Sequence, residues 1–426
     1  MRNVRRAHVI AFVTCAFIFT SFVFVPELFG SGKTKDYPTW FWVAERYATG
    51  QDFYVMQPGA EYEFLYPPFA ALLIAAAGAL GKYALYGAFV LATTAAWCVS
   101  LTLSNRFAGL DAQREPWLAA TPALLTLPGV FDAYDLGQPN LLLLGLMLVA
   151  FLALRMHRQW SAGLLFAAAI AIKAFPIAVV LYLLWRRQWT CLVATAAFLV
   201  VFLLALPTLV RGYDRNIQDL KTWYDGMVVS AGEKGFGQRA EQNWGWRNQS
   251  LIAMVHRVVR PVNYEAENLR HPPAYINVVD LSYTQANALL GVIALGLGLA
   301  FVCAMPRREE RTAESDAEEW GILLALMTIA TPLARQYYFV WLMLPYAVLL
   351  QRAAHHPSRN VRRLTTGILA ASTLLMALSL PVFPHWVQAA GNNFFATLLI
   401  IAGLVICLVS ARSSRSRSAG AASAVA

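Results

Sequence analysis

Three charged residues that could take part in a reaction lie at the predicted ends or breaks of apolar stretches in this chain. Asp36 follows the first apolar span, Val9 to Val25, close to where a membrane helix would leave the bilayer. Lys173 and Arg335 lie beside prolines inside two later apolar stretches. A charge near the membrane centre costs at least about 2.5–3.5 kcal/mol on insertion scales, so such residues persist when they are paired or used. A carboxylate can act as a general base, and lysine and arginine suit a phosphate group.

The amino-acid composition is typical of a helical membrane protein. Of 426 residues, 58% are hydrophobic and only 14% are charged, and the mean hydropathy is +0.50. A water-soluble domain of this length would not bury so much apolar surface, whereas helices in lipid satisfy their backbone hydrogen bonds internally. We therefore predict an all-α polytopic membrane protein.

Charge and cysteine content argue against two other classes of protein. The net charge of +10 includes arginines in short loops between apolar spans, where they orient the helices. No soluble basic domain is apparent, so we expect no nucleic-acid binding. The five cysteines lie inside apolar spans without metal-ligand or redox spacing. We assign no metal ligands and no cofactor, although a divalent ion is not excluded.

The alternation of apolar spans and arginine-bearing loops predicts about twelve membrane crossings, with both termini in the cytoplasm. We predict a single transmembrane domain over residues 1–411, followed by a disordered cytoplasmic tail at 412–426. The long outer loops are 27–65 and 211–281, and segment 66–80 is expected to enter the membrane only in part. The other spans are predicted at about 9–26, 83–103, 117–131, 138–154, 190–210, 283–304, 363–381 and 394–411.

Two further stretches have cytoplasmic ends and a proline break in the middle, so each is predicted to be a hairpin of two short helices. Proline removes a helix hydrogen bond and disfavours helical geometry in the residue before it. The first hairpin, residues 160–187, breaks at Pro176 and carries Lys173 at its outer tip. The second, residues 320–350, carries Arg335 at an outer tip in the same way.

In this topology, the polar side chains suited to chemistry fall on the outer side of the membrane. Residues 37–47 are predicted to form a short interfacial helix, and residues 251–257 a capped, amphipathic one. The joint at 131–140 carries two carboxylates and two amides. The outer polar residues are Asp36, Asp132, Asp135, Gln138, Asn140, Lys173, Asn248, Gln249, His256, Arg257 and Arg335. A pocket of this composition, open to the outer leaflet, fits a phosphate attached to a lipid.

Six short motifs follow one another along the chain. They are Asp36 with Gly50-x-x-x-Tyr54, Tyr66-Pro67-Pro68, Gly137-Gln138-Pro139-Asn140, Ala162-Gly163 through Lys173-x-x-Pro176, Asn248-Gln249-Ser250, and Thr331-Pro332. Their order resembles family 87 of the C-type glycosyltransferases, over residues 9–350. The resemblance implies the C-type glycosyltransferase fold, a polyprenyl-phosphate sugar donor and inverting transfer, as in the mannosyltransferases of phosphatidylinositol mannoside synthesis. It also implies a catalytic aspartate in the first outer loop, which here falls on Asp36.

Roles for the other residues follow from this chemistry. Asp36 is expected to take the proton of an acceptor hydroxyl that attacks the anomeric carbon. The donor phosphate is expected to contact Lys173, Arg335, Arg257 and His256. Sugar and acceptor contacts are expected from Tyr66, Asp132, Asp135, Gln138, Asn140, Asn248 and Gln249. We expect the protein to be a monomer in the inner or plasma membrane, surrounded by membrane lipids. Its active site on the outer face is expected to bind the polyprenyl-phosphate sugar donor and a glycolipid or glycan acceptor.

One position departs from the family pattern. Near Thr331-Pro332, the family often has Ser-Pro followed by a tryptophan and a histidine, whereas this chain has Arg335-Gln336-Tyr337-Tyr338. The contacts to the donor sugar or its phosphate can therefore differ from those of the family.

Other functions stay open at this point. Mannose rests on the resemblance alone, so arabinosyl or glucosyl transfer is an alternative. A lipid or small-molecule transporter would predict inverted repeats and polar residues at mid-membrane, and neither is apparent. A ligase or polymerase that uses lipid-phosphate donors would usually have an outer loop rich in arginine and histidine, whereas the loop at 211–281 is aromatic and mixed.

Structural roles for the same residues stay open as well. Asp36 could pair with Lys35 or Lys33, or could cap the interfacial helix. Lys173 could extend its ammonium group to lipid headgroups. Asp132 and Asp135 could cap a helix or bind a divalent ion. His256 could be a surface histidine, and Asn248 could be a helix N-cap.

Overall fold

The computed structural model describes residues 2–29, 35–58, 63–229, 242–267 and 270–423. Every regular element in these ranges is a helix, which confirms the predicted all-α class. The apolar helices and the composition together define a multi-pass membrane protein.

The α-helices have the following bounds in the described residues. The first ten are α1 (Arg2–Leu28), α2 (Asp36–Ala48), α3 (Pro68–Gly78), α4 (Lys82–Ala108), α5 (Pro116–Leu125), α6 (Leu127–Leu136), α7 (Asn140–Arg155), α8 (Gln159–Ile172), α9 (Val179–Trp185) and α10 (Trp189–Val200). They are followed by α11 (Leu206–Arg211), α12 (Tyr213–Tyr224), α13 (Leu251–Val259), α14 (Tyr283–Ala304), α15 (Ala313–Ala330), α16 (Met343–His355), α17 (Arg359–Ala377), α18 (His385–Ala389) and α19 (Asn392–Ser423).

Five helical segments of the described chain are long and apolar enough to cross a membrane. They are Ala7–Pro26, Lys82–Ala108, Trp189–Arg211, Tyr283–Ala304 and Asn392–Ser410. Several other apolar helices are shorter, so the predicted count of about twelve crossings stays a prediction. Helix α3 has 11 residues. At helical rise this is about 16 Å, roughly half of the hydrocarbon thickness, which agrees with partial entry of segment 66–80.

The structure confirms both predicted helix breaks. Helix α8 ends at Ile172, Lys173 is extended, and a short 3-10 turn at Phe175–Ala178 leads into α9. Helix α15 ends at Ala330, and a 3-10 stretch at Gln336–Leu342 precedes α16. Proline 176 is tolerated at the start of its turn, where a backbone N–H would have no helical partner.

The first of two compact units comprises Met1–Ser100 and Leu127–Ala240. Helix α8 packs against both α7 and α10, while α2 packs on α3 and α1 on α6. The contact between α8 and α10 is very close, because a Cβ atom on Gly163 would lie 2.5 Å from the Cβ of Ala194. The Ala162-Gly163 motif therefore allows the close approach that fixes the helix leading to Lys173.

The second unit comprises Leu101–Thr126 and Glu241–Ala426. Helices α15, α16, α17 and α19 pack against one another, and α5 packs on α16. Trp320 and Trp341 are among its largest fully buried side chains. The predicted single domain over residues 1–411 stays a prediction.

One local prediction differs from the structure. The joint predicted at 131–140 is largely helical, because α6 continues to Leu136 and carries Asp132 and Asp135. The backbone of α19 is helical to Ser423, and the disordered tail predicted from residue 412 stays a prediction. The last three residues of that tail, 424–426, lie outside the described residues.

Candidate active site

Asp36 is the first residue of α2, and its carboxylate accepts a hydrogen bond from the side-chain amide of Gln138. A carboxylate in the first turn of a helix lies near the positive end of the helix dipole, which favours its charged form. The side chain is half-buried. The residue predicted as the base is therefore anchored by a helix and by an amide from a distant part of the same unit.

The orientation of the Gln138 amide follows from its partners. Lys173 Nζ can only donate, and it lies 3.0 Å from Gln138 Oε1. The hydroxyl of Tyr66 donates to the same oxygen at 3.0 Å. The NH₂ group of Gln138 must then face Asp36, so one amide connects a carboxylate on one side with an ammonium group on the other.

Lys173 has a second amide partner and an aromatic neighbour. Its ammonium group donates to Asn140 Oδ1 at 3.1 Å and lies 5.3 Å from the centre of the Tyr66 ring. A cation over an aromatic face is attracted by the ring quadrupole. These contacts hold the ammonium group beside Gln138, so the structure brings together Asp36, Tyr66, Gln138, Asn140 and Lys173.

A tight turn between α6 and α7 presents Gln138 and Asn140. Gly137 has φ +76°, and a Cβ atom there would lie 3.1 Å from the ring of Tyr37. The N–H of Gln138 donates to Ala133 O, and that of Gly137 to Tyr134 O, which is a Schellman ending of α6. Glycine is thus required both by the backbone angle and by the close approach of Tyr37.

An ion pair between Lys35 and Asp135 flanks the start of α2. Lys35 Nζ lies 2.6 Å from Asp135 Oδ1 and donates to Phe22 O at the same distance. Lys35 therefore pairs with Asp135, which argues against the alternative that it neutralises Asp36. The other alternative partner, Lys33, lies outside the described residues. Asp132 lies three positions before Asp135 on α6, so both carboxylates belong to a helix rather than to a loop.

In the second unit, Asn248 connects the loop before α13 with the break after α15. Its Nδ2 donates to Asn243 O at 2.8 Å and to Pro332 O at 2.9 Å. Its Oδ1 accepts from the N–H groups of Ser250 and Ala334, at 3.1 and 2.9 Å. The side chain is fully buried, and all its hydrogen-bonding positions are used within the protein. These contacts give Asn248 a structural role, and the sugar-binding role predicted for it stays a prediction.

Neighbouring residues of the same motif reinforce this connection. The side chain of Gln249 donates to Trp246 O and to Gln388 O, both at 2.7 Å, and its backbone N–H donates to Ala334 O. Ser250, not Asn248, is the N-cap of α13, because its hydroxyl accepts from the N–H of Ala253. The predicted capped helix is confirmed, with a different capping residue. Gln249, like Asn248, is buried and bonded to the backbone, and its predicted contact to a sugar stays a prediction.

Arg335 follows the segment that Asn248 and Gln249 hold. Its Nη2 lies 2.9 Å from Glu267 Oε1, and Arg247 Nη1 lies 3.6 Å from Glu267 Oε2. Glu267 therefore lies next to Arg335, a predicted phosphate ligand. Glu267 itself is not among the residues predicted from the sequence. Its sequence position, in a mixed outer loop, provides no signal for this pairing, which depends on the fold of the second unit.

Arg257 and His256, both predicted phosphate ligands, are fully buried and bonded within the protein. Arg257 is fully buried, and its Nη1 donates to the carbonyl oxygens of Gly245 and Asn248, each at 2.7 Å. Burial lowers its pKa to about 9. The guanidinium group therefore connects a loop to α13, and its predicted contact to the donor phosphate stays a prediction.

His256 is held as a neutral ring in the same region. Arg260 Nη1 lies 3.0 Å from His256 Nδ1, and arginine can only donate, so Nδ1 is the acceptor. The other ring nitrogen, Nε2, then donates to Asn287 Oδ1 at 3.2 Å. Burial lowers the pKa of His256 to about 4. A buried neutral imidazole with both nitrogens engaged offers no charge to a phosphate, and the predicted contact of His256 to the donor phosphate stays a prediction.

One cluster in the described residues could hold a metal ion. It consists of Glu265, His271 and His385, and it lies within the second unit. The sequence offers no signal for this cluster, because its three residues have none of the usual short ligand spacings.

Comparisons with known proteins identify the class. The sequence model described as "Glycosyltransferase family 87" matches residues 64–332. This is more than half of the chain, and the chain therefore belongs to glycosyltransferase family 87. It is a membrane glycosyltransferase, which confirms the resemblance carried by the motifs.

Two similar proteins of Mycolicibacterium smegmatis have assigned activities. One is a polyprenol-phosphate-mannose-dependent alpha-(1-2)-phosphatidylinositol mannoside mannosyltransferase, 28% identical over 390 residues, which cover 84% of this chain and 79% of that protein. The other is the corresponding phosphatidylinositol pentamannoside mannosyltransferase, 29% identical over 140 residues, or 33% of each chain. A crystal structure of ArnT from Cupriavidus metallidurans in the apo state is also similar, with a TM-score of 0.43 and 14% identity. The alignment covers 95% of this chain and 76% of ArnT, and a TM-score of this size carries no argument about function.

Proposed function

We propose that the chain transfers a hexose, with mannose as the first candidate, from a polyprenyl-phosphate sugar to a lipid-linked or glycan acceptor. The transfer takes place on the outer face of the inner or plasma membrane, by a C-type glycosyltransferase fold whose termini are cytoplasmic. Family membership supports sugar transfer, and the assigned activities of both M. smegmatis relatives support the lipid-phosphate donor.

The observation that carries the proposal is the connection of Asp36 to Lys173 through one amide. Gln138 donates to the Asp36 carboxylate and accepts from the Lys173 ammonium group. A base and a cation held in fixed relation suit a displacement in which a proton is lost at one end and negative charge develops at the other.

In the proposed reaction, Asp36 takes the proton of the acceptor hydroxyl as its oxygen attacks the anomeric carbon. The bond between that carbon and the phosphate oxygen breaks, and the electron pair leaves with the polyprenyl phosphate. Attack from the face opposite the phosphate inverts the anomeric centre. Lys173 stabilises the negative charge of the leaving phosphate, which needs charge compensation more than protonation.

The remaining residues have supporting roles in the proposal. Tyr66 and Asn140 hold Gln138 and Lys173 in place and stay proposed contacts to the sugar. Arg335 stays a proposed phosphate ligand, oriented by its ion pair with Glu267. Asp132 and Asp135 stay candidate acceptor contacts, and the pair of Asp135 with Lys35 fixes the start of α2.

The proposal is tested with the purified chain in proteoliposomes that contain labelled polyprenyl-phosphate mannose, glucose or arabinose and a phosphatidylinositol mannoside acceptor. We expect labelled glycolipid with the mannose donor and its loss in Asp36→Asn, because an amide cannot accept the proton. The matched control is Asp52→Asn, whose carboxylate is half exposed, accepts from the N–H of Tyr54 at 3.0 Å and forms a long ion pair with Arg215 at 3.7 Å.

Each result has a defined meaning. Full transfer by Asp36→Asn would overturn the assignment of the base. Product from glucose or arabinose alone would replace mannose, and movement of the labelled lipid across the bilayer without a covalent product would favour a transporter. The anomeric configuration of donor and product, compared by NMR, tests inversion.

A further inference from the structure

Three potential metal ligands from separate parts of the second unit converge on one point. Glu265 lies in the loop after α13, His271 follows it by six residues, and His385 begins α18. Their candidate ligand atoms lie within 4.8 Å of one another. The three residues contribute one carboxylate and two imidazole rings.

We infer that Glu265, His271 and His385 form a binding site for a divalent transition metal ion, with Zn²⁺ as the best match. Imidazole nitrogen and carboxylate oxygen are standard zinc ligands, at about 2.0–2.2 Å from the ion. Two histidines and one carboxylate also leave coordination positions for water or for another ligand. This inference does not depend on the proposed sugar transfer.

The distances suit ligands that would surround one ion. Nδ1 of His385 lies 2.8 and 3.1 Å from the two carboxylate oxygens of Glu265. Nδ1 of His271 lies 3.1 Å from Oε2 of the same carboxylate. Both imidazole rings thus direct the same type of nitrogen to the Glu265 carboxylate. A small outward shift of these atoms would admit an ion bonded to each of them.

The exposure of the three side chains fits a metal site that is open to solvent on one side and has a buried carboxylate on the other. The Glu265 side chain is 8% exposed, whereas His271 and His385 are 46% and 32% exposed. A buried carboxylate beside two histidines benefits from a positive charge, and the exposed rings provide an entry path for an ion from water.

The segments that carry the ligands are connected by contacts that do not involve the ligand atoms. Asn263 Oδ1 accepts from the N–H groups of Glu265 and Ala274, at 3.0 and 2.9 Å. Trp246 N donates to Tyr264 O at 2.9 Å. The site is therefore shaped in advance, which reduces the entropy that metal binding would cost.

The histidine on α18 is positioned from two sides. The ring of Trp246 stacks on His385, with centroids 4.0 Å apart and an interplanar angle of 15°. Gln249 donates to Gln388 O, three residues after His385, and to Trp246 O. Residues around a metal site that orient its ligands are a usual feature of such sites.

The same contacts can also exist without a metal, with both histidines donating Nδ1–H to the carboxylate. The two cases differ in a measurable way, because only a metal site binds and retains a stoichiometric ion. A metal ion would also link the loop that carries Glu267, the partner of Arg335, to the start of α18.

The test uses the full-length chain, purified in detergent with an affinity tag that contains no histidine, stripped with EDTA and dialysed against Zn²⁺. Metal content is measured by mass spectrometry after removal of loosely bound ions. We expect about one Zn²⁺ per chain for the wild type and a higher melting temperature with Zn²⁺ than without it. We also expect Co²⁺ to produce visible absorption bands when it replaces Zn²⁺.

The variants His271→Ala and His385→Ala should lose the retained Zn²⁺ and the Co²⁺ bands. Glu265→Gln, which preserves the shape of the buried side chain, should lose them as well. The matched control is His355→Ala, because His355 is 45% exposed and pairs with Glu115 at 2.9 Å. The absence of retained Zn²⁺ in the wild type, or equal retention in the triad variants, would overturn the inference.

Discussion

Gln138 and Asp36 are joined by a hydrogen bond from the side-chain amide of Gln138 to the carboxylate of Asp36. The two residues are 102 positions apart in the sequence. Because the other end of this amide accepts from Lys173, the orientation of the carboxylate and that of the ammonium group depend on one side chain. Predictions about activity therefore begin with this amide.

Replacement of Gln138 by methionine should lower kcat by on the order of 10²-fold, because the side chain keeps its length but no longer orients Asp36. The measurement is the rate of labelled glycolipid formation at saturating donor. Gln159→Met is the matched control, since Gln159 bonds Gln188 at 2.9 Å between α8 and the start of α10. A wild-type kcat for Gln138→Met would contradict the role of the amide.

Replacement of Lys173 by methionine should lower kcat/KM for the donor by about 10²–10³-fold, because the charge of the leaving phosphate loses its compensation. Lys173→Arg should retain part of the activity, as it keeps the charge but changes the donor geometry. Lys82→Met removes a lysine at the start of α4 and serves as the control. Equal kcat/KM for wild type and Lys173→Met would favour the alternative in which Lys173 only reaches lipid headgroups.

Replacement of Asn248 by alanine should lower the free energy of unfolding by about 2–4 kcal/mol, because four backbone groups each lose a buried hydrogen bond. The measurement is the thermal melting of the purified protein in detergent. The control Asn277→Ala removes a half-buried amide that donates only to the neighbouring residues Val279 and Asp280, in solvent-exposed hydrogen bonds, and should melt like the wild type. An unchanged melting temperature together with a raised KM for the sugar donor would instead support the predicted sugar-binding role of Asn248.

The stability of the second unit should depend on pH through His256. Its pKa is about 4 in the folded protein, below its ordinary value of 6.5, because burial disfavours the charged ring. The folded state favours the neutral form, so this stabilisation is present above about pH 6.5 and is lost as the pH falls toward 4. The melting temperature should therefore fall between pH 7 and 5.

The variant His256→Gln, which does not titrate, should have a smaller decrease in melting temperature over the same pH interval. The exposed residue His157 provides the control, and His157→Gln should keep the wild-type pH dependence. An identical pH dependence in His256→Gln and the wild type would show that the ring does not titrate as proposed.

Much of the architecture follows from local properties of the sequence. Long apolar stretches predict membrane helices, and Pro176 and Pro332 predict the two breaks, because backbone hydrogen bonding and proline geometry act over only a few residues. The start of α2 at Asp36 and the capped helix after Ser250 are also local features. Their positions could be read with little knowledge of the rest of the chain.

The roles of individual polar residues are harder to predict from the sequence. Asn248, Gln249, His256 and Arg257 look like ligand contacts when they are seen as polar residues in an outer loop. In the folded unit their hydrogen bonds go to the protein itself, because buried polar groups need partners and the backbone around Pro332 and Gly245 supplies them. Sequence alone does not reveal which polar residues will be buried.

The sequence by itself determined the helical membrane class, the helix breaks and the set of motifs that contains Asp36, since these depend on hydropathy, proline geometry and motif order. The tertiary structure alone decided that Gln138 connects Asp36 to Lys173. It also decided that Glu265 meets His385, 120 positions away. Such contacts depend on how distant helices and loops pack, and the side-chain pattern within any one segment contains no information about its distant partners.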